Sequence, residues 1–212
     1  MIVALLPVKA PPMAKQRLAG ALSGPQREAL ARLMFEDVLA VLSAARGIDR
    51  IAVVTSDEAA ARHARRAGAT VFEEAGQYGH SRSADDAARR AMDLGATTVL
   101  LAPIDVPLVT AAEIEGLLTG PRPGVVIVPS ADGAGTNALV RTPPDVIESR
   151  FGTDSFRAHL EQARSRGVTV EVRRPPGLLF DVDTPEDLRE LISRAPGCRA
   201  AQWLRSQWAS AS

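Results

Sequence analysis

Residues Ile2 to Leu6 form an unbroken apolar run, the pattern of a strand covered on both faces, as in a parallel sheet. The segment SGPQREALARLMFEDVLAVLSAARG has a different period. Its Leu30, Leu33, Met34, Val38, Val41, Leu42 and Ala45 fall on one helical face, Ser23 and Gln26 make a capping-box pattern, and Pro25 sits in the first turn. RIAVVT reads as a second buried strand, DEAAARHARRAG as a helix closed by Gly68, and TVFEE as a third strand. After the loop AGQYGHSR the pattern predicts a helix starting near Ser83, the strand TTVLLAPID, a helix from Thr110 to Leu118 and the strand GVVIVPS. Alternating elements of this kind predict an α/β fold, a mostly parallel sheet with helices on both faces.

The second half is less regular. It predicts a strand at NALVRT, a loop at PPDVIESRFGTDS, a helix from Phe156 to Arg166, a short strand at VTVEVR, and a last helix capped by Thr184 with Pro185 at its first position. Irregular loops on a rigid scaffold usually build the substrate site. No repeat or linker divides the chain, so one domain is expected over residues 1–194, followed by a tail, 195–212. Trp203 and Trp208 in the tail are expected to dock on the chain's own core or on a second copy, which would make a homodimer.

Charge narrows the partners. Lys plus Arg and Asp plus Glu each total 25 in 212 residues, so no net field draws the protein to nucleic acid or to a membrane surface. One cysteine, Cys198, rules out an internal disulfide framework and fits a reducing compartment. With no signal-peptide pattern and no run of spanning length, a cytoplasmic protein is expected.

Local charge is more informative than the total. Lys9, Lys15 and Arg17 follow the first strand, and cations beyond the carboxyl end of a buried strand point to an anion site. Asp105 lies past the strand TTVLLAP, and Asp181 and Asp183 lie at another junction, in LLFDVDTP. If both junctions meet at one sheet edge, three carboxylates facing three cations suit a magnesium ion between protein oxygens and a phosphate chain. Otherwise Asp183 helps to cap the last helix and Asp105 closes a turn before Pro107. No phosphate loop, dinucleotide fingerprint, nucleophile elbow or zinc-protease motif is present. Of the histidines, His63 and His159 fall in helical patterns and read as surface residues, and His80 falls in a candidate site loop.

The segments LLPVK…AKQRLAG, DVPL, DGAGTNAL, FGTDSFRAHL and DVDTPEDL, in that order, resemble the 2-phospho-L-lactate guanylyltransferases of coenzyme F-420 biosynthesis, within the group that includes the molybdenum-cofactor guanylyltransferases. The resemblance implies a Rossmann-like three-layer sandwich of the nucleotide-diphospho-sugar transferase type, with a mostly parallel, mixed central sheet. It also implies a magnesium-dependent guanylyltransferase that moves GMP from GTP to the phosphate of 2-phospho-L-lactate, phosphoenolpyruvate or 3-phosphoglycerate. In the roles so implied, Asp105, Asp181 and Asp183 hold Mg2+, Lys9, Lys15 and Arg17 steady the triphosphate, and Thr136, Gly152 and Ser155 meet the acceptor. The alternative for Ser155, which immediately precedes a helical pattern, is an N-cap. Relatives commonly carry an Asn-containing LN segment near the nucleotide, where this chain has SADDAARRA and Asp85. That change alters base choice, shifts a helix cap or removes activity. An acceptor-only carboxylate at Asp85 could hold the two adjacent donors of guanine.

Overall fold

The computed structural model describes residues 1–9, 15–74, 79–194 and 197–209. Residues 10–14 of the opening basic stretch, 75–78 of the loop AGQYGHSR, and 195–196 and 210–212 of the tail lie outside the described residues.

Among the described residues seven strands form one sheet in the order β3-β2-β1-β4-β6-β5-β7. They are β1 (Ile2–Val8), β2 (Arg50–Thr55), β3 (Thr70–Glu73), β4 (Thr98–Leu101), β5 (Gly124–Pro129), β6 (Thr136–Thr142) and β7 (Val170–Val172). Only β6 runs antiparallel to its neighbours, β4 and β5, so the sheet is mixed and mostly parallel. The reversal matters for function. β6 begins at the end of the sheet where β4 finishes, with Leu101 opposite Leu139, so Thr136 rises on the same side as the loop carrying Asp105.

The helices are α1 (Gly24–Ala44), α2 (Glu58–Arg66), α3 (His80–Asp93), α4 (Ala111–Leu117), α5 (Ser155–Ser165), α6 (Pro185–Arg194) and α7 (Arg199–Ala209). Their ends follow local chemistry. The Gln26 side chain accepts the Ser23 N–H at 2.9 Å, completing the capping box of α1. Asp57 caps α2, and Gly68, at φ 80°, supplies the left-handed residue that follows it. Thr184 and Asp187 bond each other's backbone N–H at the start of α6. α3 begins at His80, earlier than expected, because Gly79 takes the N-cap place and its carbonyl accepts the Ser83 N–H.

Alternate residues of β1 enter different cores, as the two-residue period of a strand requires. Ala4, Leu6 and Val8 pack with α1 and α4, whereas Val3 and Leu5 pack with α3. A third cluster joins Leu18 and Leu22 to Leu30 and Met34 of α1, Phe180, Val182, Leu188 and Leu191, and Ala200, Ala201 and Leu204 of α7. The tail thus docks on the chain's own core, with Trp203 half-buried against it and Trp208 at its exposed margin. Among the described residues no helix is long and apolar enough to cross a membrane.

Candidate active site

The third apolar cluster also aligns charges. In the extended segment Phe180–Asp183, Phe180 and Val182 are buried in it, so the intervening Asp181 and Asp183 turn the other way. Leu18, fully buried in the same cluster, anchors the 3-10 turn Gln16–Leu18 and with it Lys15, just before the turn, and Arg17, within it. The Val182 N–H donates to the Asp105 carbonyl at 2.9 Å, drawing the loop after β4 against the same segment.

Lys15 is the centre of the resulting cluster. Its Nζ donates to Asp105 Oδ2 and to Asp183 Oδ1, each at 2.8 Å, and its side chain is only 8% exposed. Burial alone would lower the ammonium's pKa, but the two carboxylates outweigh it and hold the group above its ordinary value. The backbone of Lys15 is left-handed, at φ 50° and ψ 46°, a conformation costing a non-glycine residue about 1–3 kcal/mol. The paired carboxylates supply the compensating interactions. Arg17 reaches Asp183 Oδ2 at 3.4 Å from a largely exposed position. Lys9 is exposed and acts electrostatically on His80, whose pKa is lowered by desolvation and by that ammonium against the pull of Asp105 and Glu74.

Asp181 accepts a bond from Asn137 Nδ2 at 3.3 Å, and the same amide donates to the Leu178 carbonyl at 2.8 Å. Partial burial raises the Asp181 carboxyl's pKa, and the charges of Asp105 and Asp183 raise it further. Three carboxylates within electrostatic reach of one another are a hard-oxygen donor set of the kind magnesium takes. Among the described residues no three His, Cys, Asp or Glu side chains already stand as a metal cage; the Lys15 ammonium lies between two of these carboxylates. The alternative of Asp183 as a helix cap is not what the fold uses. Asp187 takes the Asp183 and Thr184 N–H groups, leaving the Asp183 carboxylate to the cations.

A second polar cluster adjoins the first through β6, where Thr136 precedes Asn137. Ser155 Oγ donates to Thr136 Oγ1 at 3.3 Å, and His159 Nδ1 lies 3.1 Å from that oxygen. The Phe156 N–H donates to the Ala134 carbonyl, tying the start of α5 to the loop before β6. Ser155 is the first residue of α5 and Asp154 holds the N-cap place, so the serine hydroxyl faces Thr136 instead of capping. Gly152, at φ 132°, is exposed and passes its carbonyl to the Ser155 N–H at 3.2 Å. The expectation of a surface His159 is corrected: the residue is 0% exposed, because it shares a face of α5 with Ser155, four residues earlier, and that face meets the sheet.

Asp85 pairs with a different cation, Arg141. Its Oδ1 accepts from Arg141 Nη1 at 2.7 Å and from the Ser149 Oγ and N–H, and its Oδ2 accepts the same N–H at 3.1 Å. Arg141 is 1% exposed, so Asp85 is the counter-ion of a buried guanidinium. Among the residues of this neighbourhood, Asn137, Arg141 and Ser149 are not singled out by the sequence, and His159 is read from it as a surface residue. The signals for two of them were present, in an amide next to Thr136 within DGAGTNAL and in the Ser-x-x-x-His spacing of SFRAH.

The chain matches the family model described as "Guanylyl transferase CofC like" over residues 2–210. It is 40% identical over 200 residues to a phosphoenolpyruvate guanylyltransferase from Conexibacter woesei, covering 92% of this chain and 90% of that one. It is 37% identical to a 2-phospho-L-lactate guanylyltransferase from Methanothermobacter thermautotrophicus, covering 95% and 89%. With a 3-phospho-D-glycerate guanylyltransferase from Colwellia psychrerythraea it shares 36% identity over 88% and 89%. A solved "putative nucleotide-diphospho-sugar transferase" from Desulfovibrio desulfuricans superposes with a TM-score of 0.79 at 19% identity, covering 98% of this chain and 95% of that chain, which supports that type of fold. With its acidic and hydroxyl clusters joined at the carboxyl end of a mixed sheet and the family model matched over nearly its whole length, the chain belongs to the CofC-like guanylyl transferase family.

Proposed function

We propose that this protein transfers the guanylyl group of GTP to the phosphate of a small phosphorylated carboxylic acid, releasing pyrophosphate. Phosphoenolpyruvate, 2-phospho-L-lactate and 3-phospho-D-glycerate, which name the acceptors of its relatives, are the candidate acids. One observation carries the reading beyond family membership. Asn137 holds Asp181 of the acidic cluster while its neighbour Thr136 belongs to the hydroxyl cluster, so a charged site and a hydroxyl-rich site share one residue boundary.

In the proposed step an oxygen of the acceptor phosphate bonds to the α-phosphorus of GTP. The bond from that phosphorus to the bridging oxygen breaks, and the electron pair leaves with pyrophosphate. A phosphate monoester with a second pKa near ~6 is already largely dianionic at neutral pH and needs no general base. The protein's task is therefore charge neutralisation and alignment. Lys15, Lys9 and Arg17 carry the positive charge for the triphosphate, and the Thr136 hydroxyl, held by the Ser155 hydroxyl, orients the acceptor together with the Gly152 backbone. A magnesium ion on Asp105, Asp181 and Asp183 would supply further neutralisation of phosphate charge when bound. The Asp85 carboxylate, already engaged by Arg141 and Ser149, serves the loop that carries Ser149 and Gly152 in this reading, not the guanine base. The family likeness connects the guanylylated acid with coenzyme F-420 biosynthesis.

Phosphorus NMR of the protein with GTP, magnesium and each acid tests the chemistry. A new phosphoanhydride pair, appearing together with pyrophosphate and abolished by EDTA, is expected for at least one acid. Hydrolysis of GTP to GDP and phosphate alone would contradict it.

A further inference from the structure

Beneath the hydroxyl cluster lies a buried imidazole with an assigned partner on each nitrogen. The Arg150 backbone N–H donates to His159 Nε2 at 2.8 Å, so Nε2 is an acceptor and carries no proton. The neutral ring must then be protonated at Nδ1. Burial chiefly, and next the Arg141 guanidinium, lower its pKa to about 4 against the opposing charge of Asp85, with Arg150 adding to the repulsion. Phe151 packs edge-on against the ring at 5.2 Å, fixing its plane.

Nδ1 lies 3.1 Å from Thr136 Oγ1, and a protonated Nδ1 can only donate there. A backbone hydrogen bond with Ser155 acts in the opposite sense to burial, raising the ring's pKa. Ser155 Oγ is the second donor to Thr136 Oγ1, at 3.3 Å. A hydroxyl has two lone pairs and one proton. With both lone pairs of Thr136 occupied, its own proton must be offered elsewhere, and among the described residues none accepts it.

We propose that His159 is a positioning residue: through its Nδ1–H it fills a lone pair of Thr136 and so turns the Thr136 hydroxyl proton outward, toward an anionic oxygen of the phosphorylated acid. The inference rests on the acceptor reading of Thr136 given above. A donor already aimed at an anion needs no reorganisation when the anion arrives. Because the same ring holds the Arg150 N–H, it also ties Thr136 on β6 to the loop that carries Gly152, so one side chain positions both.

Two measurements test this. Long-range proton–nitrogen NMR of the imidazoles, with His159 identified by its loss in His159→Gln, should show Nδ1 protonated and Nε2 bare at neutral pH. A protonated Nε2 would overturn the proposal whatever the enzyme's activity. In steady-state kinetics His159→Gln, which keeps an acceptor near the Nε2 place but loses the Nδ1 donor, should raise the acceptor KM about tenfold and leave the GTP KM unchanged. His159→Asn, whose amide N–H falls near Nδ1, should recover most of that loss. In a Thr136→Val background His159→Gln should add nothing further; an additive effect would show that the ring acts by another route. A wild-type protein inert toward GTP and all three acids would overturn the guanylyltransferase reading and this role for His159 together, whereas the wrong tautomer would overturn the role alone.

Discussion

The Asp85 carboxylate accepts a 2.7 Å bond from Arg141, whose side chain is 1% exposed. Nη1 of that guanidinium also reaches the Ile147 carbonyl, while Nε and Nη2 find no bonding partner among the described residues, so its charge relies on Asp85. Truncating one member of a buried pair leaves the other charged and desolvated, at a cost of about 3–5 kcal/mol. Asp85→Ala is therefore expected to destabilise the protein by that order in denaturant titration. Its ratio of catalytic efficiencies for GTP over ATP, taken where it remains folded, should match wild type. A changed ratio with unchanged stability would return Asp85 to the guanine edge.

Lys15 competes with any added cation for Asp105 and Asp183. Lys15→Met should reduce turnover by about 10²-fold, the scale on which a preorganised donor to developing charge acts. It should also increase the rise in Tm produced by magnesium, because two carboxylates lose their built-in counter-ion. Equal magnesium responses in variant and wild type, measured by thermal shift, would mean that the cation does not enter this cluster.

Ser155→Ala removes one donor to Thr136 Oγ1 without touching the N-cap, which belongs to Asp154. The acceptor KM should rise several-fold to about tenfold while the GTP KM stays level. Parallel increases in both constants would indicate a general disturbance of α5.

His159 contributes a pH dependence of stability whose sign is fixed. Its folded-state pKa, about 4, lies below the ordinary 6.5, so the unfolded chain binds this proton first as pH falls. The contribution is full above pH 6.5 and is lost between there and about 4, amounting to roughly 3 kcal/mol. Denaturant titrations from pH 7 to 4 should show a shallower decline in His159→Asn than in wild type. Identical slopes would contradict the buried neutral ring.

Short-range signals made much of the fold legible. The apolar runs of β1, β2 and β5, the capping box of Ser23 and Gln26, and Gly68 after α2 are each decided within a few residues. The acidic cluster was legible as a set of residue types beyond strand ends. The reversed direction of β6 was not, because a buried strand has the same pattern in either sense. Arg141 was equally opaque: in NALVRT it reads as the polar end of a strand, and only its partner 56 positions away makes its burial tolerable. His159 was misplaced because helical periodicity says which residues share a face but not what that face meets.

The most direct measurement is pyrophosphate release by the wild-type protein with magnesium, each of the four nucleoside triphosphates, and each of the three acids or none. Release should require both GTP and an acid and be matched mole for mole by the guanylylated acid in mass spectrometry. Equal release from another triphosphate, or release from GTP that does not depend on any acid, would contradict it.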